Sequence, residues 1–457
     1  MTMFDRGNVS LRLHLPRIRP LAACLAMALG VGSIDSSASS IPASLSSLTR
    51  VITNCDDSGP GSLRDTIAVS ASGDAVDLTK LACSTITLTT GALAIAVDSL
   101  TLVGPNATPG ITIDGGKSSG HFDRVLNHSG TGQVSVQSVN IVDAKYSGAN
   151  PAGGCIFSRG QVTLFGATVS NCEVLSTAAG VAVKGGAIYT AGEMDVVFST
   201  VSGNIANSSA NAFGGAVFAG RGFFAEYSTI SDNAAYASSG YSAEGGGGYL
   251  LGTVQIITST IAGNRAIIGG GLELGPDANH AATILDSTIS GNAASSAVGG
   301  VTSFMSLSID NSTIAFNTSA GNGGFPAGVF FNGATLNLQS SIIANNTAGS
   351  DLFDLAGSST ISGSHNLITS SPVAPSDTIS RCPLLLPLAA NGGPTRTHAL
   401  LHTSPAIDAG SNPQSLRYDQ RSLPRVIGAA ADIGAFEYQP GGADDEIFKS
   451  QFENRCQ

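Results

Sequence analysis

Ser199-Thr200-Val201-Ser202-Gly203-Asn204 returns as Ser228-Thr229-Ile230-Ser231-Asp232-Asn233 and again as Ser259-Thr260-Ile261-Ala262-Gly263-Asn264. Further copies are Ser287-Thr288-Ile289-Ser290-Gly291-Asn292, Ser312-Thr313-Ile314-Ala315-Phe316-Asn317 and Ser341-Ile342-Ile343-Ala344-Asn345-Asn346. A degenerate copy, Ala167-Thr168-Val169-Ser170-Asn171-Cys172, precedes them. Between Val169 and Ile343 the spacing averages 29 residues. Self-similarity at such a period marks a chain built by stacking one unit on the next.

A second element alternates with the first: Gly185-Gly186-Ala187-Ile188-Tyr189, Gly214-Gly215-Ala216-Val217-Phe218, Gly247-Gly248-Tyr249-Leu250-Leu251, Gly270-Gly271-Leu272-Glu273-Leu274 and Gly299-Gly300-Val301. Each period therefore holds two or three short strands joined by turns. Residues 197–201 and 257–261 alternate with period two and read as strands, with Ser199, Val201, Ser259 and Ile261 on one face. No 3.6-residue apolar stripe runs through the units, which excludes a helical solenoid. One unit has too few apolar positions to bury a face alone, but stacked units meet their copies about 4.8 Å above and below. The expected fold is all-β, a single-stranded parallel β-helix. Its aliphatic position forms an internal stack, and Asn204, Asn233, Asn264, Asn292, Asn317 and Asn346 form an amide ladder.

Composition limits the role. Charged residues are 12% of 457, against a typical ~25%, hydrophobic residues are 42%, and the formal net charge is −11. A chain this apolar is not disordered, and one this acidic lacks the basic footprint of a nucleic-acid binder. Glycine numbers 57 but shows no collagen-like triplet run.

Residues 1–38 read as a signal peptide: Arg12, Arg17 and Arg19 precede the apolar stretch at 21–31, and Ser36-Ser37-Ala38 offers a small-residue cleavage site. Cys24 sits at the start of that stretch rather than after it, the wrong place for lipidation. No transmembrane segment is expected after cleavage. Six cysteines then remain for an oxidising compartment, Cys55, Cys83, Cys155, Cys172, Cys382 and Cys456. They allow 15 pairings, of which Cys55 with Cys83, Cys155 with Cys172 and Cys382 with Cys456 are favoured.

Both open ends of a stack of strands need covers. Residues 39–92 form the N-terminal cap, with Ser62 as helix N-cap and Leu63, Ile67 and Ala68 on one face. The β-helix repeats occupy 93–368, a rod on the order of 45 Å. Prolines and a changed pattern mark a C-terminal capping module at 369–440, and 441–457 is an acidic tail.

The Ser-Thr-Ile-Ser-Gly-Asn and Gly-Gly-Ala elements resemble the right-handed parallel β-helix repeats of pectin-lyase-like proteins. They are also similar to repeats in the passenger domains of polymorphic outer membrane proteins, although Ile or Val replaces the Phe of that motif. The segment 404–438, with Asp419-Gln420-Arg421 and Asp432-Ile433-Gly434-Ala435-Phe436-Glu437, looks like the choice-of-anchor Q module of bacterial surface β-helix proteins. The resemblance implies an exported bacterial protein, secreted or at the cell surface, and says little about activity.

Polysaccharide lyases and hydrolases on β-helices need clustered charge. Asp195, Glu226, Glu244, Glu273, Asp286 and Asp310 recur at no common offset from the stacked aliphatic, and no lyase or polygalacturonase signature is present. His398 and His402 near Asp408, the Asp419/Arg421 pair and Gly116-Lys117-Ser118 read as structural. No catalytic residue, cofactor or metal ligand is assigned, and nucleic acid is excluded as a partner. The expectation is a noncatalytic, adhesin-like or glycan-binding surface protein whose partner is a cell-surface glycan or protein, with Tyr189, Phe218 and Tyr249 as aromatic contacts if they face outward. The alternative is a polysaccharide lyase or glycoside hydrolase with a loop-built site.

Overall fold

The computed structural model describes residues 47–106, 110–321, 324–349, 353–358 and 360–440. The expected signal peptide, the acidic tail and Cys456 lie outside the described residues. Each coil between the two ends contributes one strand to each of three parallel sheets. In a central coil these are Glu193–Val197, Thr200–Ser202 and Val217–Ala219. The first sheet has 12 strands, the second 11 and the third 10. Val201 pairs with Ile230, and the column continues in register through Ile261, Ile289, Ile314 and Ile343. All six are buried in one core that runs from Ile52 to Ile368. Each such side chain contributes roughly 1.5–3 kcal/mol. The chain is a parallel β-helix.

The corners depart from the sequence reading. Residues 197–201 are not one strand: Glu193–Val197 ends, Phe198 turns the chain at φ 48°, and Thr200–Ser202 starts the second sheet. Tyr227, Thr258, Asp286, Asn311 and Ser340 take the same left-handed conformation at the same corner. The turn is compensated by a ladder that had no assigned role. Ser199 N–H donates to Ser228 Oγ at 3.1 Å, and the pattern repeats through Ser259, Ser287, Ser312 and Ser341 to Asn366.

After the second sheet the chain leaves the column as a flange. Ile205–Ser208 runs out and Ala212–Phe213 runs back, each stacked in parallel on its copies. The flange has its own small core, including Val174, Val183, Ala206, Ala212, Ala235 and Ala243. At Arg265–Ile268 a single strand replaces the pair, joining the outgoing and returning columns.

The flange neck explains the glycine pairs. A Cβ on Gly215 would sit 2.2 Å from the Gly246 carbonyl oxygen and 2.6 Å from the Ala234 carbonyl carbon. Returning chain, outgoing chain and next coil meet there as bare backbone. The ladder asparagines close the same neck. Asn204 Nδ2 donates to Asn233 Oδ1 at 2.8 Å and to Val169 O at 3.2 Å. The chain of amides continues through Asn264, Asn292, Asn317 and Asn346 and ends on Asp354 Oδ1.

At the N-terminal end Ser62 Oγ accepts the Asp65 N–H of a helix spanning Leu63–Ala68. Leu63 and Ile67 are buried, while Ala68 is exposed and does not share their face. Cys55 and Cys83 are bonded nearby. Stacking begins before residue 93, because Thr49–Val51, Asp74–Asp77 and Thr85–Thr87 already belong to the first and second sheets. These strands lack the repeat motif and join by backbone pairing. At the other end Val373 and Ala374 pack on the core. Later residues lie along the flank: Leu385, Leu400, Ile433 and Phe436 cluster with Ala315, Ile342 and Ala344 on the second sheet. Cys382 is disulfide-bonded, and its expected pairing with Cys456 falls outside the described residues.

Candidate functional site

The outer face of the first sheet is the longest regular surface. Alternation points Val162, Leu164, Met194 and Val196 inward and Gln161, Thr163, Glu193 and Asp195 outward. Register then aligns outward groups in files. Gln133 Nε2 donates to Thr163 Oγ1 at 2.6 Å, and Thr163 Oγ1 to Asp195 Oδ2 at 3.2 Å. Farther along, Asn337 Nδ2 donates to Ser308 Oγ at 3.3 Å, and Ser362 Oγ to Asn337 Oδ1 at 3.4 Å. From Gln133–Gln137 onward no strand of this sheet carries a base. The C-terminal module touches only its margin, where Gln414 Nε2 donates to Asp310 Oδ2 and Gln339 Nε2 to Ser411 Oγ.

Two acids on this face lie on adjacent strands. Asp195 pairs with Phe224, which places Glu226 one strand on and two residues along. That diagonal spans about 7–8 Å between backbone positions on a pleated sheet. Burial pushes both carboxyls up, and the neighbouring Glu193 carboxylate adds to the effect at Asp195.

The third sheet presents Phe157, Tyr189, Phe218 and Tyr249 in one outward column. Their centroids are 5.2, 5.4 and 5.5 Å apart with nearly parallel planes. The rings lie on one another, so their faces are used along the axis and mainly edges look outward. Arg124 covers Phe157 at 5.0 Å, and Lys184 lies 4.8 Å from Phe218. The next residue in the column is Glu273, 3% exposed, with Oε2 lacking a hydrogen-bond partner. Burial, reinforced by Glu244 on the flange, pushes Glu273 up to about 8. Burial and the same two acids push Tyr249 up to about 12. Glu244 and Glu273 share no common offset along the chain because one is on the flange and the other on the sheet.

The remaining candidates are dispersed. Asp286 is buried at a corner, 3.6 Å from Arg425 of the C-terminal module. Asp419 and Arg421 form a buried pair at 2.7 Å, and Arg421 stacks on Phe436 at 3.6 Å. His398 is buried between Leu386 O and Ser290 Oγ, both at 2.7 Å, and burial holds it down to about 4. Residues 117–119 form a turn, with Lys117 Nζ bound to Asn171. Among the described residues no group of three or more His, Cys, Asp or Glu side chains is placed to hold a metal. None of the described helices is long and apolar enough to cross a membrane.

Strand order and register define a parallel β-helix with a lateral flange. A crystal structure of the pectate lyase Pel9A is similar, with a TM-score of 0.42 and 13% identity, covering 86% of this chain and 97% of that one. No protein-family model matches the sequence, and no curated protein matches it.

Proposed function

We propose that this chain is an exported, noncatalytic β-helix that binds an extended, neutral glycan along the outer face of its first sheet. The observation that carries this reading is the polar outer face itself, where amide, hydroxyl and carboxylate groups line up without a base at Gln133, Thr163 and Asp195 and again at Ser308, Asn337 and Ser362, on either side of Phe224. Many weak, evenly spaced hydrogen bonds suit a repeating polyhydroxylated chain better than a compact ligand. An acidic face without lysine or arginine disfavours polyuronates and phosphate polymers. Stacking of Tyr189, Phe218 and Tyr249 on one another makes aromatic sugar platforms a minor part of the reading. Two disulfides and a further bonded cysteine, Cys382, suit an oxidising compartment. The likeness of 404–438 to choice-of-anchor Q modules, and of the repeats to surface passenger domains, supports presentation at a cell surface.

A second reading, a glycoside hydrolase, is favoured by Asp195 and Glu226, two part-buried carboxyls on adjacent strands of this face that burial pushes up, as a general acid requires. One panel of neutral and acidic polysaccharides separates the two, scored for retention and for new reducing ends or unsaturated sugars. Retention of neutral glycans without cleavage is the expected result. Cleavage that disappears in Asp195→Asn and Glu226→Gln overturns the noncatalytic reading.

A further inference from the structure

We propose that Glu244 and Glu273, with the hydroxyl of Thr302, bind a hard divalent cation, calcium in preference to magnesium, that ties the flange to the third sheet. Glu273 is 3% exposed and Thr302 is 2% exposed, and they pair in register on adjacent rungs. Glu273 Oε2 and Thr302 Oγ1 are both buried without a hydrogen-bond partner. Thr302 sets an uncharged oxygen close enough to the Glu273 carboxyl to hold it down in part against burial, so the two groups face the same space.

Glu244 comes from a different element. It ends the returning strand Ala243–Glu244 and pairs with Ile268, whose chain neighbour Gly269 lies against Glu273 Oε2, and its charge acts on both Glu273 and Tyr249. The nearest cation assigned to this column, Lys184, lies over Phe218, one rung before Tyr249. Two carboxylates facing one space need a proton or a cation to neutralise them, because burying an unpaired charge is expensive. Donors that are all oxygen select a hard ion, and irregular geometry drawn from two elements suits calcium better than magnesium. Only two carboxylates contribute, so the affinity belongs with that of extracellular modules, on the order of 10⁻⁴–10⁻³ M. Backbone at Gly269 makes room for the acid: a Cβ there would meet Glu273 Oε2 at 2.8 Å.

The test is calorimetric titration of the full chain with calcium chloride and, separately, magnesium chloride, with thermal melting in parallel. Wild type is expected to bind one calcium and to melt higher when saturated. Glu273→Gln and Glu244→Gln should each weaken binding at least about tenfold. Thr302→Val should weaken it less, and Glu226→Gln on the first sheet should leave it unchanged. Circular dichroism of the calcium-free variants confirms that each is folded, and Thr302→Val remains informative should an acid variant fail to fold. Absence of saturable calcium binding in wild type overturns the proposal. Equal binding by wild type, Glu273→Gln and Thr302→Val overturns it as well, because the ion then sits elsewhere. Glycan retention is scored separately, so loss of the cation site and loss of the glycan face are distinguishable.

Discussion

Cys172 occupies in its coil the place that Asn204 occupies in the next: Asn204 Oδ1 accepts the Cys172 N–H at 2.9 Å, as Asn233 Oδ1 accepts that of Asn204 at 3.0 Å. Cys172 is bonded to Cys155, whose column continues as Ala187, Ala216 and Gly247. The disulfide thus closes the flange neck where the ladder closes it farther on. Removing a link with a 17-residue sequence separation costs roughly 3 kcal/mol. Cys155→Ala with Cys172→Asn should recover part of that loss by extending the ladder one rung, whereas Cys155→Ala with Cys172→Ala should not. Urea unfolding of the two double variants under one buffer checks this, and equal midpoints count against the shared role.

Within the ladder, Asn264 Nδ2 donates to Asn292 Oδ1 and Ile230 O, and its Oδ1 accepts from Asn233 N–H and Nδ2. Asn264→Ala strands several buried partners at about 1–3 kcal/mol each, so a loss of at least about 3 kcal/mol is expected by chemical denaturation. Asn264→Asp should also be severe, since a carboxylate cannot donate to Ile230 O.

The repeat made the fold legible because Val201, Ile230 and Ile261 stack by sequence identity alone. The corners were not legible, since Phe198 and Tyr227 carry no compositional sign of a left-handed turn and the serine ladder resembled strand alternation. The flange escaped because its core is mostly alanine, which leaves no amphipathic pattern. Asp195 was visible as an acid, but its diagonal with Glu226 depends on register. Glu244 and Glu273 meet only because the glycines at 245–248 fold the return strand back to the sheet.

Glycine positions in the flange neck should divide sharply. Gly215→Ala drives a Cβ into backbone on two sides and should cost more than about 3 kcal/mol. Gly203 has φ +66° but open space around its Cβ position, and Asn171 and Asp232 occupy equivalent turns at φ 56° and 58°. Gly203→Asn should therefore fall within about 0.5 kcal/mol of wild type. Thermal melts of both variants decide whether close approach or backbone freedom dominates at each site.

The proton on Glu437 should stabilise the C-terminal module. Burial, with help from Asp432, pushes Glu437 up to about 7 from 4.5, although the Asp432 and Ile427 N–H groups pull it back. The folded state then keeps a proton that the unfolded chain has lost, so stability falls as pH rises from 4.5 to about 7. Asp286 and Asp432 shift in the same direction. Asp57 and Asp74, held down to about 2, act only at more acidic pH. His398, held down to about 4, contributes in the opposite direction as pH rises to 6.5. It is therefore the stability of wild type relative to Glu437→Gln that should decline between pH 4.5 and about 7, read from denaturation midpoints of both proteins across that range. An equal slope in both removes Glu437 as the cause.

The glycan face can be tested without disturbing the core, because Gln255 and Thr283 point away from it on adjacent strands of the first sheet. Each lost hydrogen bond is worth about 0.5–1.5 kcal/mol, so Gln255→Ala with Thr283→Ala should weaken glycan retention roughly 5- to 100-fold. Unfolding midpoints should stay near wild type, since neither side chain fills the column. Gln255→Glu tests charge instead: it should leave neutral glycans bound and reduce retention of any polyuronate further. Affinity electrophoresis in gels cast with each polysaccharide reads all three proteins side by side. Undiminished retention by the double alanine variant would place the binding surface on another face of the coil.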